Sequence, residues 1–348
     1  MWPSRCQHLP RGPGFTSVGT TEGHQIFVDV LTRFAEQSRN ARLTPIIARI
    51  AVPPCVAVLG RDGVGRGTVA AALTRAGVTV TPDPKAADVH VLVIAEALKP
   101  EDRADLANAD RPIVTVLNKA DLTGRSDGGP LTRAHRRAAD CRALTGVPTV
   151  PMVALLATAE LNEELMSALR VLVTEPADLT STDAFVRSGH SVRPDLRRRL
   201  LAALDRFGIA SAVLALGEGA DAATVSTVLR RASQVDRVVE HIEAAAAPVC
   251  YRRVRSAITE LYSLAVQSGD RRLAEFLSTD ETVLAVMAAA VGVVEAAGVA
   301  VDRGDDAAAH LRRAVHWRRY SRGPVDALHR SCGADIARGS LRLLGRAR

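Results

Sequence analysis

The sequence predicts a parallel α/β domain over residues 51–176 followed by an all-α domain over residues 191–348. Three observations carry that expectation. From Cys55 to Val173, short runs that are apolar along their whole length alternate with amphipathic segments, the pattern of a parallel sheet covered on both faces. After TEPADLTSTD the strand-type runs stop, and apolar residues recur at helical spacing. Aromatic residues make up only 3% of a chain that is 47% apolar, so small aliphatic side chains must fill the core.

Each element follows in order. Residues 1–24 hold Pro and Gly throughout and no apolar core of a secretion signal, so they are expected to form a disordered leader. Residues 25–50 form a helical lead-in, with Ile26, Val30, Phe34, Ile46, Ile47 and Ile50 as apolar positions, ended by Pro53 and Pro54. In 51–176, CVAVL, VTV, DVHVLVIAE, PIVTVLNKAD and TVPMVA read as strands; TVAAALTRA, PEDRADLAN, LTRAHRRAADCRAL and ELNEELMSALRVLV read as helices. Residues 177–190 read as a linker. Beyond it Pro194 and Asp195 open a helix carrying Leu196, Leu200, Leu204 and Phe207, and Asp221, Ser233 and Asp280 are good N-cap residues for three more.

The length suits about two domains. The five cysteines are scattered without metal-ligand spacing and read as reduced thiols. Val283–Val301 is apolar enough to suggest a membrane span, but Glu295 interrupts it and Ala contributes little to insertion, so a buried helix is expected. Arginine outnumbers lysine 42 to 3, so an arginine at a lysine position carries less meaning here than elsewhere.

GRDGVGRGT, residues 60–68, follows the first strand and opens a helix. Backbone N–H groups and the helix dipole at such a turn suit a phosphate, and Gly60, Gly63, Gly65 and Gly67 leave that backbone accessible. The regular phosphate-loop pattern is GxxxxGK[ST]; here Arg66 stands at the lysine and Gly67 at the hydroxyl. Further on, VTVLNKAD places Asn118, Lys119 and Asp121 at a strand end.

With these residues the chain resembles a translation-factor-class P-loop GTPase of the Era-like and bacterial dynamin-like branches. Era-like loops commonly read GRPNVGKST, and this chain agrees at Gly60, Arg61, Val64, Gly65 and Thr68. In that family the NKxD aspartate accepts from the guanine N1–H and amine, the role the resemblance implies for Asp121. Val153, Ala154 and Leu155 stand where Ser-Ala-Lys or Ser-Ala-Leu usually completes the base site. The resemblance covers about residues 51–176 and implies a shortened P-loop GTPase-like sheet domain.

The departures limit what it implies. Arg66 replaces a compact ammonium by a planar fork, Gly67 removes a magnesium ligand, and Thr68 lies about 100° further round the helix. No switch threonine and no DxxG can be placed between the loop and NKAD. Without these groups an attacking water is not organised, so no catalytic residue and no metal ligand is assigned. The expectation is a degenerate GTPase-like protein that senses GTP or GDP or acts as an accessory interaction protein, through a protein partner or self-association. The alternatives are an active GTP hydrolase with an unusual loop, and an RNA- or membrane-surface-binding protein.

Charge supplies the last feature. Residues 309–348 hold ten arginines against Asp326 and Asp335, a local +8 in a chain of net +7. Arg312, Arg313, Arg318, Arg319 and Arg322 are candidate contacts to an anionic partner, a membrane surface ahead of nucleic acid. Leu311, Ala314 and Val315 are expected on one face of that helix, docked on the bundle in the structural alternative. The expected location is the cytoplasm, with a peripheral place at the inner membrane face as the variant.

Overall fold

The computed structural model describes residues 22–124 and 128–347. The expected leader lies outside them up to residue 21. Two helices open the described chain, α1 (Glu22–Ser38) and α2 (Thr44–Ile50). Thus α1 starts three residues earlier than the lead-in predicted: Gly23 lies on the backbone of Ala288 and Ala289, where a Cβ would overlap both.

The sheet follows. Its elements are β1 (Cys55–Leu59), α3 (Arg66–Arg75), β2 (Thr79–Val80), β3 (Val89–Ala95), α4 (Pro100–Ala107), β4 (Ile113–Asn118), α5 (Gly129–Thr145) and β5 (Thr149–Pro151). All pairings are parallel and the strand order is β2-β1-β3-β4-β5. The fully apolar runs predicted this arrangement: Val91, Leu92, Val93 and Ile94 of β3 and Val114, Val116 and Leu117 of β4 are all completely buried.

Helices complete the chain: α6 (Ala154–Ala157), α7 (Glu163–Thr174), α8 (Thr182–Arg187), α9 (Pro194–Gly217), α10 (Ala222–Ser233), α11 (Val235–Ser268), α12 (Arg271–Phe276), α13 (Asp280–Ala296), α14 (Ala307–Tyr320) and α15 (Ala327–Arg346). The expected linker contains α8, capped by Ser181 accepting from the Ala184 N–H at 3.0 Å and anchored by the buried Phe185. Asp221 caps α10 as predicted, accepting from the Thr224 N–H at 2.8 Å. The cap of α13 is Thr279 rather than Asp280, which is its first helical residue. Ser233 is the last residue of α10, although its hydroxyl accepts from the Val235 N–H at 3.2 Å.

The described residues form two compact units, one within 54–245 and the other 22–53 with 246–347. The sequence placed boundaries at 51, 176 and 191 instead. In the first unit α7, α9 and α10 share one apolar cluster with Ala120, Val153 and Leu156 of the α/β part. The Val153 N–H also donates to the Ser233 carbonyl at 3.0 Å. Helices α8 to α10, past residue 176, therefore belong with the sheet.

The second unit is all helical. Phe27 and Leu31 of α1, Met287 and Ala290 of α13, Trp317 of α14 and Ile336 of α15 lie in one buried cluster, so the apolar run from 283 is a core helix as expected, ending at Ala296. A Cβ on Gly339 would overlap Met287, which lets α15 approach α13 closely. Among the described residues α9 alone is long and apolar enough to cross a membrane. Its Leu200, Leu204, Ile209 and Ala212 are spent on the core of the first unit.

The tail differs from expectation at one residue and one face. Arg313 is 1% exposed and so is not a candidate anion contact. Its guanidinium donates to the Ser340 hydroxyl at 3.0 Å, the Asp302 and Gly304 carbonyls at 2.8 and 3.0 Å, and His310 Nδ1 at 2.7 Å. Leu311 and Val315 do not dock on the bundle but are 48% and 43% exposed.

Candidate functional site

The strand order reverses direction at β1. Its successor β2 lies on one side, and β3 lies on the other, so the loops leaving β1 and β3 diverge at their carboxyl ends, the place where open α/β sheets commonly bind ligands. The glycine-rich loop occupies that position. Gly60 leaves β1 with φ 134° against the Val93 carbonyl, and Gly65 takes φ 89° as the N-cap of α3. A Cβ on Gly65 would overlap the side-chain amide of Asn118, whereas one on Gly63 or Gly67 would meet nothing within 4 Å. The loop is thus closed toward β4 and open over Gly63 and Gly67.

Asn118 ends β4 and is 4% exposed. Its Nδ2 donates to the Val64 carbonyl at 2.9 Å, and its Oδ1 accepts from the Ala154 N–H at 3.2 Å. One side chain thereby joins the loop after β1, the end of β4 and the turn after β5. Lys119 follows in the left-handed region, φ 56°, and its Nζ donates to the Gly63 carbonyl at 2.9 Å. Ala120 then starts a short 3-10 turn, Ala120–Leu122, held by its N–H on the Met152 carbonyl at 3.1 Å. That turn carries Asp121. Its carboxyl is pushed above the ordinary range, chiefly by burial and further by the Asp205 carboxylate, against the opposing pull of Arg206 and Lys119. It is a half-buried acceptor whose ionised form burial disfavours.

The loop arginines do different things. Arg66 pairs outward with Asp62 at 2.6 Å. Arg61 turns inward to Asp102, Nε to Oδ1 at 2.9 Å and an η nitrogen to Oδ2 at 3.3 Å. Asp102 is completely buried and also accepts from the Lys99 N–H at 2.9 Å, so this pair ties the loop to the first turn of α4. Thr68 is half-buried on α3.

The structure brings Gly60, Gly63, Gly65, Asn118, Lys119, Asp121 and Ala154 into one constellation and turns the side chain of Arg66 out of it. Among the described residues no three His, Cys, Asp or Glu side chains converge in a metal-binding group. Sequence reading missed the Arg61–Asp102 pair and the approach of Asp205 to Asp121, because each joins segments remote in the chain. Asp205 carries a backbone signal that only coordinates reveal: φ 52° and ψ −179° inside α9, a region nearly confined to glycine.

No protein-family model matches the chain, and no curated protein matches it.

Proposed function

We propose that the protein binds a guanine nucleotide at the carboxyl ends of β1 and β4 and acts as a nucleotide-responsive accessory protein without efficient turnover. The observation that carries the reading is the Asn118 clamp, which fixes the phosphate-type loop, the Asp121 turn and Ala154 relative to one another. Asp121 is a half-buried carboxylate, the group that suits a base presenting two adjacent N–H donors. Adenine has no such pair. The open backbone over Gly63 and Gly67, at the start of α3, suits phosphate oxygens.

The same arrangement speaks against hydrolysis. The Arg66 guanidinium is engaged by Asp62, and residue 67 has no hydroxyl to offer a cation, the group that in phosphoryl transfer helps hold magnesium on the phosphates. The nucleotide would be gripped by its base and by backbone amides. A bound magnesium would have to be held by the phosphates or by residues outside the loop.

Thermal shift with GDP, GTP and ATP, each with and without magnesium, tests the reading. GDP and GTP should raise the melting temperature and ATP should not. Equal shifts from all three would remove the guanine assignment, and no shift at millimolar nucleotide would leave the loop a structural turn.

A further inference from the structure

Helix α14 is amphipathic in the opposite sense to the one its sequence suggests. The residues it buries are Ala309, His310, Arg313, Ala314 and Trp317. Trp317 is 1% exposed, and Arg313 is fixed by the four acceptors described above, so the helix has no freedom to roll about its axis. Leu311 and Val315, one turn apart, are held facing outward. Arg318 continues their row, Arg312 and Arg319 flank it, and Arg322 follows in the turn after the helix; all four are exposed. Arg312 has Asp302 at 3.7 Å. Among the described residues Arg318, Arg319 and Arg322 make no ion pair.

We propose that this face docks on an anionic lipid surface, with Leu311 and Val315 entering the headgroup boundary and Arg312, Arg318, Arg319 and Arg322 meeting the lipid phosphates. A stripe of outward apolar residues rimmed by long cationic side chains is the composition of an interfacial helix. Nucleic-acid phosphates would engage the arginines but leave Leu311 and Val315 without a partner. A second copy of the chain would set this face against itself and bring its arginines together. Anionic lipid accommodates both features, and its charge complements a face that carries no acidic side chain of its own helix: the sequence 307–320 contains neither Asp nor Glu.

The test is sedimentation of the full chain with vesicles of phosphatidylcholine alone and of phosphatidylcholine with phosphatidylglycerol, beside RNA filter binding. Binding should be confined to the anionic vesicles and should weaken with salt. Arg318→Ala with Arg319→Ala should lower the partition coefficient by about 25-fold, near fivefold for each charge removed. Leu311→Ser with Val315→Ser should lower it about tenfold while leaving any RNA binding unchanged. Both double variants change exposed side chains only, and an unchanged melting temperature certifies that they fold. Absence of anionic-vesicle binding, equal binding to neutral vesicles, or indifference to Leu311→Ser with Val315→Ser would each overturn the proposal. Tight RNA binding with that indifference would identify a nucleic-acid face instead.

Discussion

At the scale of single residues, the candidate site depends on glycines that differ in what they permit. Gly65 combines φ 89° with contact against Asn118, so Gly65→Ala must both strain the backbone and displace the clamp. Chemical denaturation should show a loss of about 1–3 kcal/mol. Gly67 sits in the first turn of α3 with free space at its Cβ position, and Gly67→Ala should gain about 0.5–1 kcal/mol on helix propensity. Asp121 makes a prediction in pH. Burial raises its carboxyl above the unfolded value, so the native state binds more protons across that window and Asp121 costs stability as pH rises through it. Asp121→Asn should therefore raise the melting temperature of the nucleotide-free protein at pH 7 and have little effect near pH 4, around the ordinary Asp value. Guanine affinity, which needs the ionised carboxylate, should fall as the pH is lowered through the same window. Asn118, Lys119 and Asp121 were legible because their order at a strand end is itself informative. Arg61 was legible only as a loop residue; its buried partner is 41 positions away, and no local pattern announces such a pair.

At the scale of elements, strands and most helices could be read from periodicity, while the orientation of α14 could not. Two readings of HLRRAVHWRRYSR compete: the apolar row Leu311 and Val315 inward, or the row Arg313 and Trp317 inward. Hydrophobicity favours the first, yet the second wins because acceptors from α15 and the segment before α14 satisfy the guanidinium of Arg313. Arg313→Ala should accordingly cost about 3 kcal/mol, by leaving buried acceptors unpaired and a cavity beside Trp317. Arg318→Ala should stay within about 0.5 kcal/mol. Removing everything after residue 308 would strip Trp317, Cys332 and Ile336 from the core of the helical unit, so loss of that unit's cooperative unfolding is expected rather than mere loss of charge. Helix α9 stores strain at Asp205. Asp205→Gly should relieve about 1–3 kcal/mol, read as a higher denaturation midpoint, and should also lower the Asp121 carboxyl toward its ordinary range, because Asp205 is one of the groups that raise it.

At the scale of the whole molecule, the sequence revealed a parallel α/β domain and a helical remainder but not which helices belong together. Residues 22–53 join 246–347 in one compact unit through contacts such as Gly23 on α13, and long-range helix pairing leaves no local signature beyond a small residue where two backbones meet. Helices α7 to α10 look alike in pattern to those of the other unit, yet their apolar stripes close over Ala120, Val153 and Leu156, next to the candidate site. The functional reading concerns the unit of residues 54–245, and it predicts that phosphate release from GTP by the full chain will match that of an Asp121→Ala variant. The most direct test of the central claim is calorimetric titration of GDP and ADP into the full-length protein and into Asp121→Ala. The account predicts saturable GDP binding, at least tenfold weaker ADP binding, and a loss of GDP affinity of about 2–3 kcal/mol in Asp121→Ala, the magnitude of a charge-assisted hydrogen-bond pair. GDP binding that matches ADP, or that survives Asp121→Ala unchanged, would contradict it.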